Sequence, residues 1–361
     1  MNTLVLVAGR EIRTRIRTRS YIVSLAISAL LVVAVAFAPK VFGGPDTYDV
    51  GVVGTAPAAG AQVKYRTYPD EAAVRKAVLD GDVDAALVDD RTVVARGELD
   101  AKLGLLLESA HRDARIRASG IEVTPLAVRS IGPDARYQGV RTGIATLLVM
   151  VLFFLLIYSS MFVAMGVVEE KGSRIVEILL TAVRPWQLLG GKIVGLGALG
   201  LINLGVVIAA GLAAASATGL AADLPPGMAG IVAGAVAWFV LGYAFFSALA
   251  AAFGSLVSRQ EELNSVLTPM TMLMTLTYVV AYLAAVQPTG TLARVLSLVP
   301  PFSSMVMPVR AAAVDVPVAE TAVAAVLMLV AVAAVLLAGA RVYERAVLRT
   351  GARVRLADAI R

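Results

Sequence analysis

The chain has no cysteine and only one histidine, His111, in 361 residues. Without thiols there is neither a disulfide framework nor a Cys-ligated metal. With one imidazole, multi-histidine metal centres and catalytic systems that need two histidines are excluded as well. Charge is scarce too: 16% of residues are charged, against ~25% in an ordinary soluble domain, while 58% are hydrophobic and the mean hydropathy is +0.80. That composition excludes a disordered or collagenous chain and marks a membrane protein. The nucleotide-binding loop G-x-x-x-x-G-K-[ST] is also missing; Gly190, Gly191, Lys192 and Ile193 lack both the leading glycine and the hydroxyl residue. The chain cannot bind ATP by that route, so driven transport would take its free energy from an ion gradient or from another subunit.

What is present are long uncharged runs. A helix needs ~20 apolar residues to cross ~30 Å of hydrocarbon. Six stretches qualify: Tyr21–Ala38, Gly143–Val168, Ile193–Ala217, Met228–Val257, Val266–Val286 and Thr321–Ala340, none with Asp, Glu, Lys, Arg or His. Only one long polar insert interrupts them, residues 39–142, which carries most of the acidic residues and His111. The expected fold is therefore an all-α polytopic membrane protein of six transmembrane helices, with an α/β extracytoplasmic domain inserted between the first and second. Within the insert, Tyr48–Gly54 and Asp84–Asp89 alternate as strands do, while Asp70–Leu79 and Leu99–Ser119 show helical spacing. A gating or partner-contact domain and a plain spacer both fit it.

Orientation follows from the short flanks, where cytoplasmic loops hold excess Lys and Arg. With the N-terminus inside, segments 1–20, 169–192, 258–265 and 341–361 hold sixteen basic residues, against three outside, Arg141, Arg294 and Arg310. Both termini are thus expected in the cytoplasm, with the insert and the Pro-rich segment 287–320 outside. The first run and Ala36-Phe37-Ala38 imitate a secretory signal, but Pro39 would follow the cut, so an uncleaved anchor is expected. The net charge of +6 is then orientation signal rather than a surface for nucleic acid. Arg outnumbers Lys 26 to 6 amid heavy Ala usage, which suggests a GC-rich bacterial genome and a plasma-membrane location.

Two motifs imitate enzymes. Gly195, Gly197 and Gly200 match G-x-G-x-x-G, but they sit inside an uncharged run rather than between a strand and a helix. Gly191 and Gly195, like Gly230 and Gly234, are better read as small-residue pairs that let helices approach. Glu169, Glu170 and Arg174 fit the E-E-x-x-x-R pattern of intramembrane peptidases, whose chemistry needs membrane histidines that this chain lacks. Past Arg174, apolar Ile175, Val176, Ile178 and Leu179 alternate with Glu177 and Thr181 up to Pro185. A short amphipathic helix there must lie on the membrane surface or against a partner protein.

The run from Val168 to Gly195 resembles the signature between the second and third spans of the transmembrane subunits of ABC-2-type exporters, in particular the branch of the sodium-extrusion permease NatB. Leu298–Arg310, with Pro300, Pro301, Pro308 and Arg310, is similar to that family's outer motif before the last span, and Glu11–Ser24 and Arg341–Arg355 resemble its two ends. The resemblance implies a permease paired with a second copy or a close homologue and docked on cytoplasmic ABC ATPase subunits. Those subunits would carry the ATP and Mg, with no cofactor or metal on this chain. It also implies a coupling element seated on the ATPase, which maps to Glu169, Glu170, Lys171, Arg174, Ile175, Glu177, Ile178 and Leu179. The alternation of Arg13, Arg15, Arg17 and Arg19 with Ile12, Thr14, Ile16 and Thr18 suits an interfacial elbow helix on anionic headgroups.

An ion-gradient-driven transporter or channel is the competing class, but it would normally place ionisable residues inside its spans. For a translocation path the sequence offers Asn203, Thr268, Thr271, Thr275 and Tyr278, the last four at helical spacing on one face. Spans without charge suit an amphipathic or lipophilic cargo better than a bare cation, although carbonyls and hydroxyls at a dimer interface would also accept Na+. Most such hydroxyls are expected to bond their own helix backbone.

Overall fold

A computed structural model describes residues 3–42, 47–54, 56, 62–88, 92–97, 99–119, 137–173 and 183–346. The chain divides into two units, Lys40–Ser130 and the remainder, Met1–Pro39 with Ile131–Arg361.

The smaller unit holds β1 (Tyr48–Val53), β2 (Val63–Tyr68), α3 (Glu71–Asp80), β3 (Ala85–Val88), β4 (Thr92–Val94) and α4 (Ala101–Ala118); α1 and α2 precede it. Its sheet runs β2-β1-β3-β4, with β1 parallel to both neighbours and β4 antiparallel to β3. The parallel pairs set Val50 opposite Tyr65 and Ala85. One face buries Val74, Ala77 and Val78 of α3 against Ala86 and Val88, and the other buries Leu103 and Leu107 of α4 against Tyr48, Val50 and Ala85. Helix on sheet on helix is what strands buried on both faces require. Asp70 caps α3 by accepting from Ala73 N at 2.7 Å, and Gly81 ends it at φ 84°. Asp100 accepts from Lys102 N, Leu103 N and the Tyr48 hydroxyl, which ties the start of α4 to β1. The α/β expectation holds. The two strands that alternation missed, β2 and β4, lie at the sheet's edges and are mostly exposed, so no run of buried positions marks them.

The larger unit begins with α1 (Thr3–Arg15) and α2 (Arg19–Phe42), and continues with α5 (Gln138–Gly172), α6 (Pro185–Thr218), α7 (Met228–Gly254), α8 (Leu263–Val286), α9 (Thr291–Leu296), α10 (Ser303–Ala313) and α11 (Val318–Ala346). Among the described residues, six helices are long and apolar enough to cross a membrane. Their core joins Leu152 and Leu156 of α5, Phe239 and Phe246 of α7, Met270 and Met274 of α8, and Met305 and Met307 of α10. Outward faces carry exposed Leu30, Leu276, Val326 and Val330, the pattern of helices that meet lipid rather than water.

Two features go beyond the sequence reading. The Pro-rich segment before the last span folds back as α9 and α10, and α10 is buried almost throughout. Pro308 and the charge on Arg310 interrupt its apolar run, so hydropathy alone does not identify it. The stretch expected to form an interfacial elbow helix is α1, and it packs on α6, where an added Cβ at Gly191 would lie 2.6 Å from Val7 Cβ, and one at Gly195 would lie 2.7 Å from the Ala8 carbonyl oxygen. Gly191 and Gly195 therefore serve helix approach, as expected. Among the described residues nothing stands within 4 Å of where a Cβ at Gly230 or Gly234 would lie.

Candidate functional site

At one end of the bundle, α1, the last turn of α5 and the first turns of α6 converge. Arg10 of α1 donates to Glu170 of α5 at 2.6 Å and to Glu11 at 3.0 Å. Lys192 of α6 reaches the same two carboxylates, Glu11 at 3.3 Å and Glu170 at 3.2 Å. Glu11, Glu170 and Lys192 are 5%, 8% and 2% exposed. Charges this far from water persist only when each has partners of opposite sign, and two cations with two carboxylates meet that condition. Burial would raise the Glu11 carboxyl, but the Lys192 ammonium and the Arg10 guanidinium outweigh it and hold Glu11 below the usual carboxylate range.

The neighbouring residues divide by helical phase. Glu169 lies at the rim, where it accepts from Arg15 at 2.9 Å and from Gln260 at 3.4 Å. Lys171 turns inward and donates to the Ser255 carbonyl at 2.6 Å. The structure thus describes the first three residues of the expected coupling element. Residues Glu169, Glu170 and Lys171 are the final turn of α5 itself, and two of the three are spent inside the bundle. Arg174, Ile175, Glu177, Ile178 and Leu179 lie outside the described residues. The chain is described again from Val183, and Gln187 accepts from Arg184 N at the start of α6.

Of the residues suggested for a path, Thr268, Thr271 and Thr275 donate to the carbonyls of Asn264, Thr268 and Thr271 on their own helix. Their face of α8 points outward, and Tyr278 packs on Phe153 with ring centres 4.8 Å apart. Asn203 lies elsewhere. It is 3% exposed on α6, and its Oδ1 has no hydrogen-bond partner among the described residues. The structure thus separates Asn203 from the threonine face.

Asn203 stands where two cavities meet. One is an apolar cleft of about 420 Å³ between α2, α5 and α6, walled by Ile27, Leu31, Phe154, Met161 and Val207. The other is a narrow passage beside Arg15, Thr18 and Tyr158. Arg15 and Thr18 also line a third cavity, of about 430 Å³, among the charges Arg10, Glu11, Glu169, Glu170 and Lys192. Composition and spacing did not reveal this chain of cavities. Its one sequence signal is Asn203, a lone amide in an otherwise apolar span.

At the opposite end, Arg310 of α10 is buried and donates to the Pro288 carbonyl at 3.1 Å, to Ser297 Oγ at 2.5 Å and to Glu320 at 3.2 Å. Pro300 and Pro301 form the turn that leads from α9 into α10, and Pro308 is buried within α10. These residues brace the folded-back helices.

Residues 19–342 match the model of a family described as ABC-2 family transporter protein. The chain is also similar to the uncharacterized protein YhaP of Bacillus subtilis (strain 168), 26% identical over 219 residues, which is 58% of this chain and 52% of the Bacillus protein. The chain thus spans about half the length of that relative.

Proposed function

Because the chain belongs to the ABC-2 family of transporter proteins, we propose that it is the permease subunit of an exporter whose energy comes from a separate cytoplasmic ATPase. On this reading it works with a second permease chain in a bacterial plasma membrane, its termini lie in the cytoplasm and the domain at 40–142 lies outside. The basic residues concentrated on the short inner flanks support that orientation.

One observation carries the reading: the segment between α5 and α6 leaves from helix ends bound to one another and to α1 by buried ion pairs. A push delivered to the end of α5 is shared, because moving α5 without α6 and α1 would leave a buried charge unpaired, at a cost of about 3–5 kcal/mol. Nucleotide-driven movement of an ATPase seated there is therefore passed to three helices as one body. The pairing also argues against ion-gradient coupling, which uses carboxylates free to exchange their ion. The cargo on this reading is an amphipathic or lipophilic compound.

The test is transport by the complex rebuilt in proteoliposomes with an ABC ATPase of the same organism that co-purifies with the chain. ATP-dependent movement of an amphipathic dye that stops when the ATPase is omitted is the expected result. Transport driven by an imposed ion gradient without ATPase would replace this proposal.

A further inference from the structure

We infer that the cleft between α2, α5 and α6 is a binding site for a drug-sized cationic amphiphile, whose ammonium group donates to Asn203 Oδ1. The cleft's volume, about 420 Å³, falls within the range of small-ligand pockets, and its walls are apolar. One of those walls is lightly held. Among the described residues of α2 only Tyr21 and Val32 are buried, so α2 can yield to an entering tail without breaking the core.

The polar end of the cleft selects the headgroup. Asn203 Oδ1 is buried and has no partner among the described residues, and an amide oxygen in that state is costly until a donor reaches it. Tyr158 beside it already donates to the Ser20 carbonyl at 3.2 Å. In the charged cavity beyond the passage, Glu170 Oε2 is likewise buried and has no partner among the described residues. Both unmet atoms are acceptors, so the complementary headgroup is a donor with positive charge rather than a sulfate, phosphate or carboxylate. Arg15, the cation beside the passage, is engaged by Glu169 at 2.9 Å and lies over the Phe162 ring, which leaves an anion little to gain. The charged cavity matches Arg10, Arg15 and Lys192 with Glu11, Glu169 and Glu170, so it does not repel a cation by net charge.

That the ligand is cargo rests on the export reading; that it binds does not. The experiment uses the full chain alone in phosphatidylcholine nanodiscs, without ATPase or ATP. Since the chain has no cysteine, Ser28→Cys in the cleft can carry an environment-sensitive fluorophore, and Leu30→Cys on the exposed face of α2 reports simple partitioning into lipid. Dodecylammonium, dodecyltrimethylammonium and dodecyl sulfate share one tail and differ in donor and charge. The expected result is a saturable response at position 28 alone, strongest for dodecylammonium, about tenfold weaker for the trimethyl compound, which lacks N–H donors, and absent for the sulfate. Asn203→Leu should remove that tenfold preference. Ile27→Trp, which fills the cleft and leaves Asn203 intact, should abolish the response. Equal responses at positions 28 and 30, or an unchanged preference in Asn203→Leu, would overturn the proposal. So would loss of the response in phosphatidylethanolamine, which would give the site to a membrane lipid, or a label at position 28 shielded by a second copy of the chain. Failure of ATP-driven export would leave this binding result standing, and the reverse also holds.

Discussion

The two ends of the helical bundle both bury charge, but they do so in different ways. At the end that carries Arg10, Glu11, Glu170 and Lys192, the partners lie as far as 181 positions apart in the chain and join α1, α5 and α6. At the other end Arg310 meets Pro288, Ser297 and Glu320, all within 22 positions, and two of its three acceptors are neutral. The first arrangement ties three helices into one body through buried partners on both sides, while at the second Arg310 braces a local turn and buried Arg141 reaches 174 positions to Asp315, which is exposed. A device that must receive a push needs the first kind, and a device that closes off a bundle needs only the second.

That contrast breaks most readily at Lys192. Lys192→Met leaves Glu11 and Glu170 to share Arg10, and breaking a buried pair costs about 3–5 kcal/mol. A large fall in the thermal unfolding midpoint of the purified chain is expected, with early proteolysis of α1. The parent should show a milder form of the same release in acid. The Glu11 carboxyl is held below its ordinary value of 4.5, so its contribution is full above that pH and fades as pH falls through the depressed value. Limited proteolysis of α1 across that range checks the sign.

A smaller effect is expected from Arg310→Gln, about 1–3 kcal/mol, because Glu320 is half-exposed and can turn to water. The loss should appear as proteolysis near α9 and α10 with α1 still protected. Smallest is the double change Thr271→Val and Thr275→Val, under about 1 kcal/mol in stability, since both hydroxyls bond only their own helix. If their outward face lines a contact with a second chain, transport should change while the midpoint holds; unchanged transport would make the face mere packing.

The sequence was most legible where physics acts over many residues. Six charge-free runs of helical length identify the spans, and strand alternation with a buried helix face identifies the α/β unit. It was least legible where one residue's direction decides. Glu169 and Glu170 are adjacent and chemically alike, yet one helical step of about 100° places the first at the rim and the second in the core. Gly191 and Gly195 have the same spacing as Gly230 and Gly234, but among the described residues only the first pair meets another helix. Spacing states that a helix can approach and does not say which one. Asn203 was visible as an oddity, whereas the cleft beside it depends on three helices whose packing no local pattern encodes.

The central claim is that the segment between α5 and α6 seats this chain on an ATPase. The measurement that tests it most directly is co-purification of the full chain with ABC ATPases co-expressed from the same organism, compared between the parent and Glu177→Lys. Reversing a charge buried in such a contact should cost enough binding, roughly 2–5 kcal/mol, to lose the ATPase during purification. The unfolding midpoint of the permease should stay at the parent value, because the ion cluster at Glu170 and Lys192 is untouched. Equal recovery of the ATPase with both proteins would contradict the account and leave the segment a membrane-surface helix.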